Sequence, residues 1–186
     1  MPGELPVPHP GPAFVGHQSI FQFVNADTLK PAKECGQAAI ATVLANYHII
    51  PKSIDGLREV EKAYPPDMFW GVFGTGPDQI RKALKHYHLP HHRTHGREKL
   101  EKVLRGRGTA ISLVQNTAGL FGIGDGAHWF VVFGCDANGV YVTNYGSPPF
   151  IDWATFEKMW SGTIPTAVGM TKTFFYSPYG PHGRST

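Results

Sequence analysis

Glu34-Cys35-Gly36-Gln37-Ala38-Ala39-Ile40-Ala41-Thr42-Val43-Leu44 decides how this chain is read, because it puts a thiol on the first turn of a buried helix. Gly36, Ala39, Ile40, Val43, Leu44 and Tyr47 share one face of the helical period, and the opposite face is largely alanine. Unpaired backbone N–H groups and the positive end of the helix dipole lie beside the sulfur. Such sites favour the thiolate and bring a thiol pKa to roughly 3.5–7.5. Cys35 is therefore a candidate nucleophile for covalent catalysis.

Gly126-Ala127-His128-Trp129-Phe130-Val131-Val132-Phe133 supplies a matching base: an apolar strand that opens on histidine after four glycines within eight residues. Asp136-Ala137-Asn138-Gly139 carries turn chemistry, and Val140-Tyr141-Val142-Thr143-Asn144-Tyr145 reads as the returning strand of a hairpin. With a loop of Ala137 to Gly139 and Asp136 opposite Val140, parity puts Asn144 on the face of His128. That register pairs Asn144 with Val132, too far along the strand, and closing the gap takes strong twist or a bulge, for which Gly134 and Gly139 are the candidate sites. Asn144 is the candidate that orients the imidazole. Asp136 competes for the role, although its place at the head of a turn favours a local hydrogen bond.

The order Cys35, His128, Asn144 resembles a papain-like cysteine peptidase, and the finer pattern is similar to the C39-like peptidases. The carrying segments are Cys35-Gly36-Gln37-Ala38-Ala39, Gly74-Thr75-Gly76-Pro77-Asp78, His128-Trp129-Phe130-Val131-Val132 and Val140-Tyr141-Val142-Thr143-Asn144, within residues 20 to 176. The resemblance implies a papain-like α+β fold, a helical N-terminal half whose nucleophile helix packs on an antiparallel sheet. It also implies a Cys/His/Asn triad that acts through a thioester. Two positions depart from the family pattern. Asn144-Tyr145 stands where the family has Asp-Pro, and Leu29 stands where it has a Gln that completes the oxyanion hole. Gln22, and after it Asn25, are the nearest upstream amides that could take the place of that Gln.

A chain of 186 residues, 41% hydrophobic and 12% aromatic, fits one globular domain with a real core and excludes a disordered protein. Composition sets off a Pro-rich extended arm over 1–19 and a flexible tail over 177–186, and the resemblance implies a papain-like catalytic domain over 20–176 between them. Helices are expected near 36–48, 54–63, 77–88, 97–105 and 153–160. Strands are expected near 109–115, 128–134, 140–145 and 166–176. Asp152 is an N-cap candidate, followed by a core stripe of Trp153, Phe156, Met159 and Trp160. The segment 116–126 reads equally as a mobile lid and as an ordinary connector.

The net charge of +3 is spread among acidic residues, so no nucleic-acid partner is expected. No membrane span and no signal peptide are legible, which points to a soluble protein, cytoplasmic or exported by a signal-independent route. Cys135 reads as a small buried hydrophobe rather than a disulfide partner of Cys35. The cluster His86, His88, His91, His92 and His95 invites a metal reading, but Pro90 interrupts the helix and no thiol or carboxylate lies nearby, so a polar connector is the simpler account. Acyl transfer of this kind needs no metal or organic cofactor. The expected partner is a peptide, protein or peptidoglycan-peptide substrate, and the reaction is hydrolysis of a peptide or isopeptide bond. The alternatives are a deamidase or transglutaminase-type effector, and a catalytically silent peptide-binding domain.

Overall fold

Every residue from Thr109 to Val114 is buried, which no strand with one solvated face allows. The reason is a sheet covered on both sides. The structure, a computed structural model, describes residues 35–67, 75–106, 108–115, 127–143, 150–161 and 172–177. Within these residues the elements run α1 (Cys35–Asn46), α2 (Ile54–Ala63), α3 (Pro77–His86), β1 (His92–His95), α4 (Arg97–Arg105), β2 (Thr109–Gln115), β3 (Ala127–Cys135), β4 (Gly139–Thr143), β5 (Phe150–Asp152), α5 (Trp153–Trp160) and β6 (Thr173–Ser177). The six strands form one antiparallel sheet in the order β1-β6-β2-β3-β4-β5. This is an α+β fold.

Strand parity divides the core in two. Ile111, Leu113, Trp129, Val131 and Phe175 pack against α1, α2 and α3, whereas Ala110, Val114, Phe130, Val132 and Phe174 pack against α4 and α5. The second helical layer arises because β2 and β3 are apolar at both parities. Helix α1 is buried at all twelve positions. It packs against β3, α2 and α3.

Helices α2, α4 and α5 and strand β2 span the expected residues. Asp152 caps α5 by accepting from the Thr155 N–H at 2.9 Å, a contact worth about 1 kcal/mol, and the stripe Trp153, Phe156, Met159, Trp160 is core. Helices α1 and α3 stop two residues earlier than periodicity suggests, for a shared reason. His48 and His88 take left-handed backbone (φ 57° and 54°), while Ile49 N–H donates to Leu44 O at 2.9 Å and Leu89 N–H to Leu84 O at 3.0 Å. These are Schellman stops with histidine where glycine is usual.

Two strands were not anticipated. Strand β1 (His-Arg-Thr-His) lies inside the histidine-rich stretch read as a connector, and its exposed polar residues suit a sheet edge. Strand β5 is only three residues long. Ser177, assigned to the tail, is the buried last residue of β6 and pairs with Thr109. Among the described residues no helix is long and apolar enough to cross a membrane. The 1–19 arm, the rest of the 177–186 tail and the 116–126 segment lie outside the described residues.

Candidate active site

Cys35 is the first residue of α1, and the chain around it is shaped by close approach to Thr75. A Cβ on Gly36 would lie 2.6 Å from Thr75 Oγ1 and 2.8 Å from Cγ2, and nearer still to its Cβ, so only glycine fits there. Gln37 is fully buried and engaged at both ends of its amide: its Oε1 accepts from the Thr75 hydroxyl at 2.8 Å and its Nε2 donates to Tyr64 O at 2.7 Å. Thr75 O in turn accepts from the Trp129 indole N–H at 2.8 Å. One residue thus ties the Cys35 turn to β3. Pro77 opens α3 just beyond, and the Gly76 N–H before it donates to Asp67 Oδ1 at 2.7 Å.

Strand β3 brings its His-Trp pair to the sulfur. The Trp129 backbone N–H points at Cys35 Sγ, 3.5 Å away, beyond the last described β3–β4 pair at Val131↔Thr143. The His128 Cα is two bonds from that nitrogen, which bounds its distance from the sulfur at about 6 Å. By parity the His128 side chain shares a face with Phe130, ring centroids 6.2 Å apart, while Trp129 faces α1.

The environment differs from the open cleft that the sequence suggested. Cys35 is 4% exposed and His128 0%. Burial pushes the Cys35 thiol up from its ordinary value, and the N–H groups of Trp129, Gly36 and Cys35 itself only partly offset this. The expected depression is overturned: the helix N-terminus is present, but desolvation of a sulfur sealed in the core is the larger effect.

The hairpin carries a bulge, at Phe133 rather than at Gly134 or Gly139. Pairing runs Cys135↔Val140 and Gly134↔Tyr141, then slips past Phe133 to Val132↔Val142 and Val131↔Thr143. The turn is one residue tighter than assumed, with Asp136 N–H donating to Gly139 O at 3.0 Å. The two shifts together move β4 two residues nearer His128 and preserve the face expected from parity. Asn144, Gln22 and Asn25 lie outside the described residues. Asp136 is engaged in its own turn: it accepts from the N–H groups of Asn138 (2.7 Å) and Gly139 (3.0 Å) and from the Tyr141 hydroxyl (2.7 Å).

Cys135 is a free buried thiol in the α4/α5 core, pushed up to about 11 chiefly by burial. The histidine cluster is dispersed: His86 packs edge-on against Tyr64 and Tyr87, His91 Nδ1 lies 2.9 Å from Leu89 O, and His92 packs on Tyr176. Among the described residues no three His, Cys, Asp or Glu side chains are grouped to hold a metal. Nothing in the sequence at Gln37 and Thr75 themselves gives either a structural role. Their neighbours, Gly36 and the Gly76-Pro77 helix start, were the available signals.

Neither a family model nor a curated protein matches the sequence. Solved structures do. A double-glycine-motif protease from an AMS/PCAT transporter, crystallised in complex with the leader peptide, is similar at a TM-score of 0.53 and 20% identity, covering 82% of this chain and 89% of that one. A protein described as a C39-like peptidase from Bacillus anthracis is similar at 0.55 and 16% identity, covering 77% and 88%. The chain has the C39-like peptidase fold. In that fold the residues marked from sequence, Cys35 and His128, fall on adjoining ends of α1 and β3.

Proposed function

We propose that this protein is a cysteine peptidase that cleaves a peptide or isopeptide bond by acyl transfer. The observation that carries the proposal is the Trp129 N–H···Sγ contact of 3.5 Å, which sets the thiol beside the backbone of His128. His128, whose ring lies on the Phe130 face and must reach the sulfur around the start of β3, takes the Cys35 proton as sulfur attacks the amide carbon, and the tetrahedral intermediate collapses with the amine leaving group accepting that proton. Water, deprotonated by His128, then hydrolyses the thioester and releases the free thiol and a carboxylate. Asn144 is the proposed orienter: Val142 shares the parity of Val132 and His128, and Asn144 is two residues further on. Gln22, or failing it Asn25, is the proposed side-chain donor to the oxyanion, with the Cys35 N–H as backbone donor. A peptide substrate is supported by the leader peptide bound to the similar transporter protease.

The burial of Cys35 and His128 favours a second reading, a catalytically silent domain of this fold that binds peptide. Mass spectrometry after brief mixing with peptide pools separates the two. A covalent adduct on Cys35 that is absent from Cys35→Ala supports the peptidase. Peptide binding that is unchanged in Cys35→Ala, with no adduct on the native protein, supports the silent binder.

A further inference from the structure

Thr75 lies where three parts of the site meet. Its side chain fills the space beside Gly36, its hydroxyl donates to Gln37, and its carbonyl accepts from the Trp129 indole. It is 3% exposed, and Gln37 and Trp129 are also buried, so water does not substitute for these bonds. Helix α1 also packs on β3 through Trp129 and Val131, but apolar packing is non-directional, and the hydrogen bond described between α1 and the start of β3, from the Trp129 N–H to Cys35 Sγ, is long at 3.5 Å. The hydrogen bonds at 2.8 Å on either side of Thr75 are short enough to hold the two elements in register.

We propose that Thr75 is a positioning residue that sets the spacing between the Cys35 sulfur and the His128 end of β3. This rests on the peptidase reading for its kinetic consequence but not for its structural one. Thr75→Val keeps the shape beside Gly36 and removes the donor to Gln37; Thr75→Ser keeps the donor. A small misplacement of a reacting group costs up to about a hundredfold in rate. Thr75→Val is therefore expected to lower kcat about ten- to a hundredfold with KM within about twofold, and Thr75→Ser to retain most of kcat.

Backbone hydrogen exchange supplies a readout that needs no turnover. In Thr75→Val the Trp129 amide should exchange about tenfold faster, while amides at the centre of β2, such as Leu113, keep their native rates. Trp129→Phe, which drops the indole donor and keeps a ring, should do the same, and it serves if Thr75→Val does not fold. If the Trp129 amide is unmoved, or speeds up only in step with the β2 amides, Thr75 stabilises the fold without positioning the site and the proposal falls. If the native protein turns over no peptide while the Trp129 amide responds selectively, the peptidase reading falls and the positioning role stands.

Discussion

Gly36→Ala tests the most specific steric statement in this structure. On propensity alone the change should help, since alanine is favoured over glycine by about 1 kcal/mol in a helix interior. Gly36 is only the second residue of α1, where that gain is smaller. Against it stands a Cβ placed 2.6 Å from Thr75 Oγ1 and 2.8 Å from Cγ2, and closer to Thr75 Cβ, far inside ordinary contact. Thr75 cannot swing aside cheaply, because its hydroxyl and carbonyl are both engaged. Overpacking of this kind costs about 1–3 kcal/mol, and the net loss should be about 1–2 kcal/mol, or a fall in Tm of roughly 2–8 °C for a chain of this size. Urea unfolding followed by tryptophan fluorescence measures it. The clash includes Thr75 Cβ, so Thr75→Ala should not rescue Gly36→Ala, whereas Thr75→Gly should, with a coupling energy of about 1–2 kcal/mol in the double-mutant cycle. A Gly36→Ala protein as stable as the native one would show that Thr75 does not pack against α1 as described.

Two other perturbations have definite signs. His88→Gly relieves a left-handed residue costing about 1–2 kcal/mol, against about 0.5–1 kcal/mol for the greater freedom of unfolded glycine, so stability should rise by roughly 0.5–1 kcal/mol in the same assay. Asp136 is pushed up by partial burial but held below the usual carboxylate range by the Tyr141 hydroxyl and the Asn138 and Gly139 N–H groups. Its folded pKa is depressed, so its contribution is full above the unfolded pKa and is lost as pH falls through the folded one. Asp136→Asn should therefore be less stable at neutral pH and lose less on acidification; an unchanged acid limb of the stability curve would refute the role given to that turn.

How far the sequence reveals this protein depends on whether a feature is local. Asp152 and its apolar stripe, the Pro77 helix start and the short apolar run of β2 depend on neighbours a few residues away, and each appears where periodicity and capping chemistry place it. The ends of α1 and α3 were overestimated because a left-handed histidine is not visible in the apolar pattern that continues to Ile49 and Leu89. Strand β1 escaped because four polar residues carry no strand alternation; pairing with β6 makes them a strand. The same holds at the site. Cys35 and His128 were legible from residue type and order, whereas the bond from Thr75 to Gln37 joins residues 38 apart and leaves no mark on either local pattern.

The burial of Cys35 bears on how its proton moves. A thiolate–imidazolium pair formed before substrate arrives requires the thiol pKa to be lowered, and here burial raises it beyond what three N–H groups offset. The resting species is then the neutral thiol, and in the proposed mechanism His128 would serve as a general base during attack rather than as the cation of a standing pair. With the folded pKa above the ordinary thiol value, alkylation of Cys35 in the free protein should be slow at neutral pH and climb through the alkaline range. A standing ion pair would instead give fast alkylation that persists into acid. Peptide mapping after iodoacetamide treatment across pH follows Cys35 separately from Cys135. Rapid modification of Cys35 at mildly acidic pH would refute the neutral-thiol ground state and restore the preformed pair.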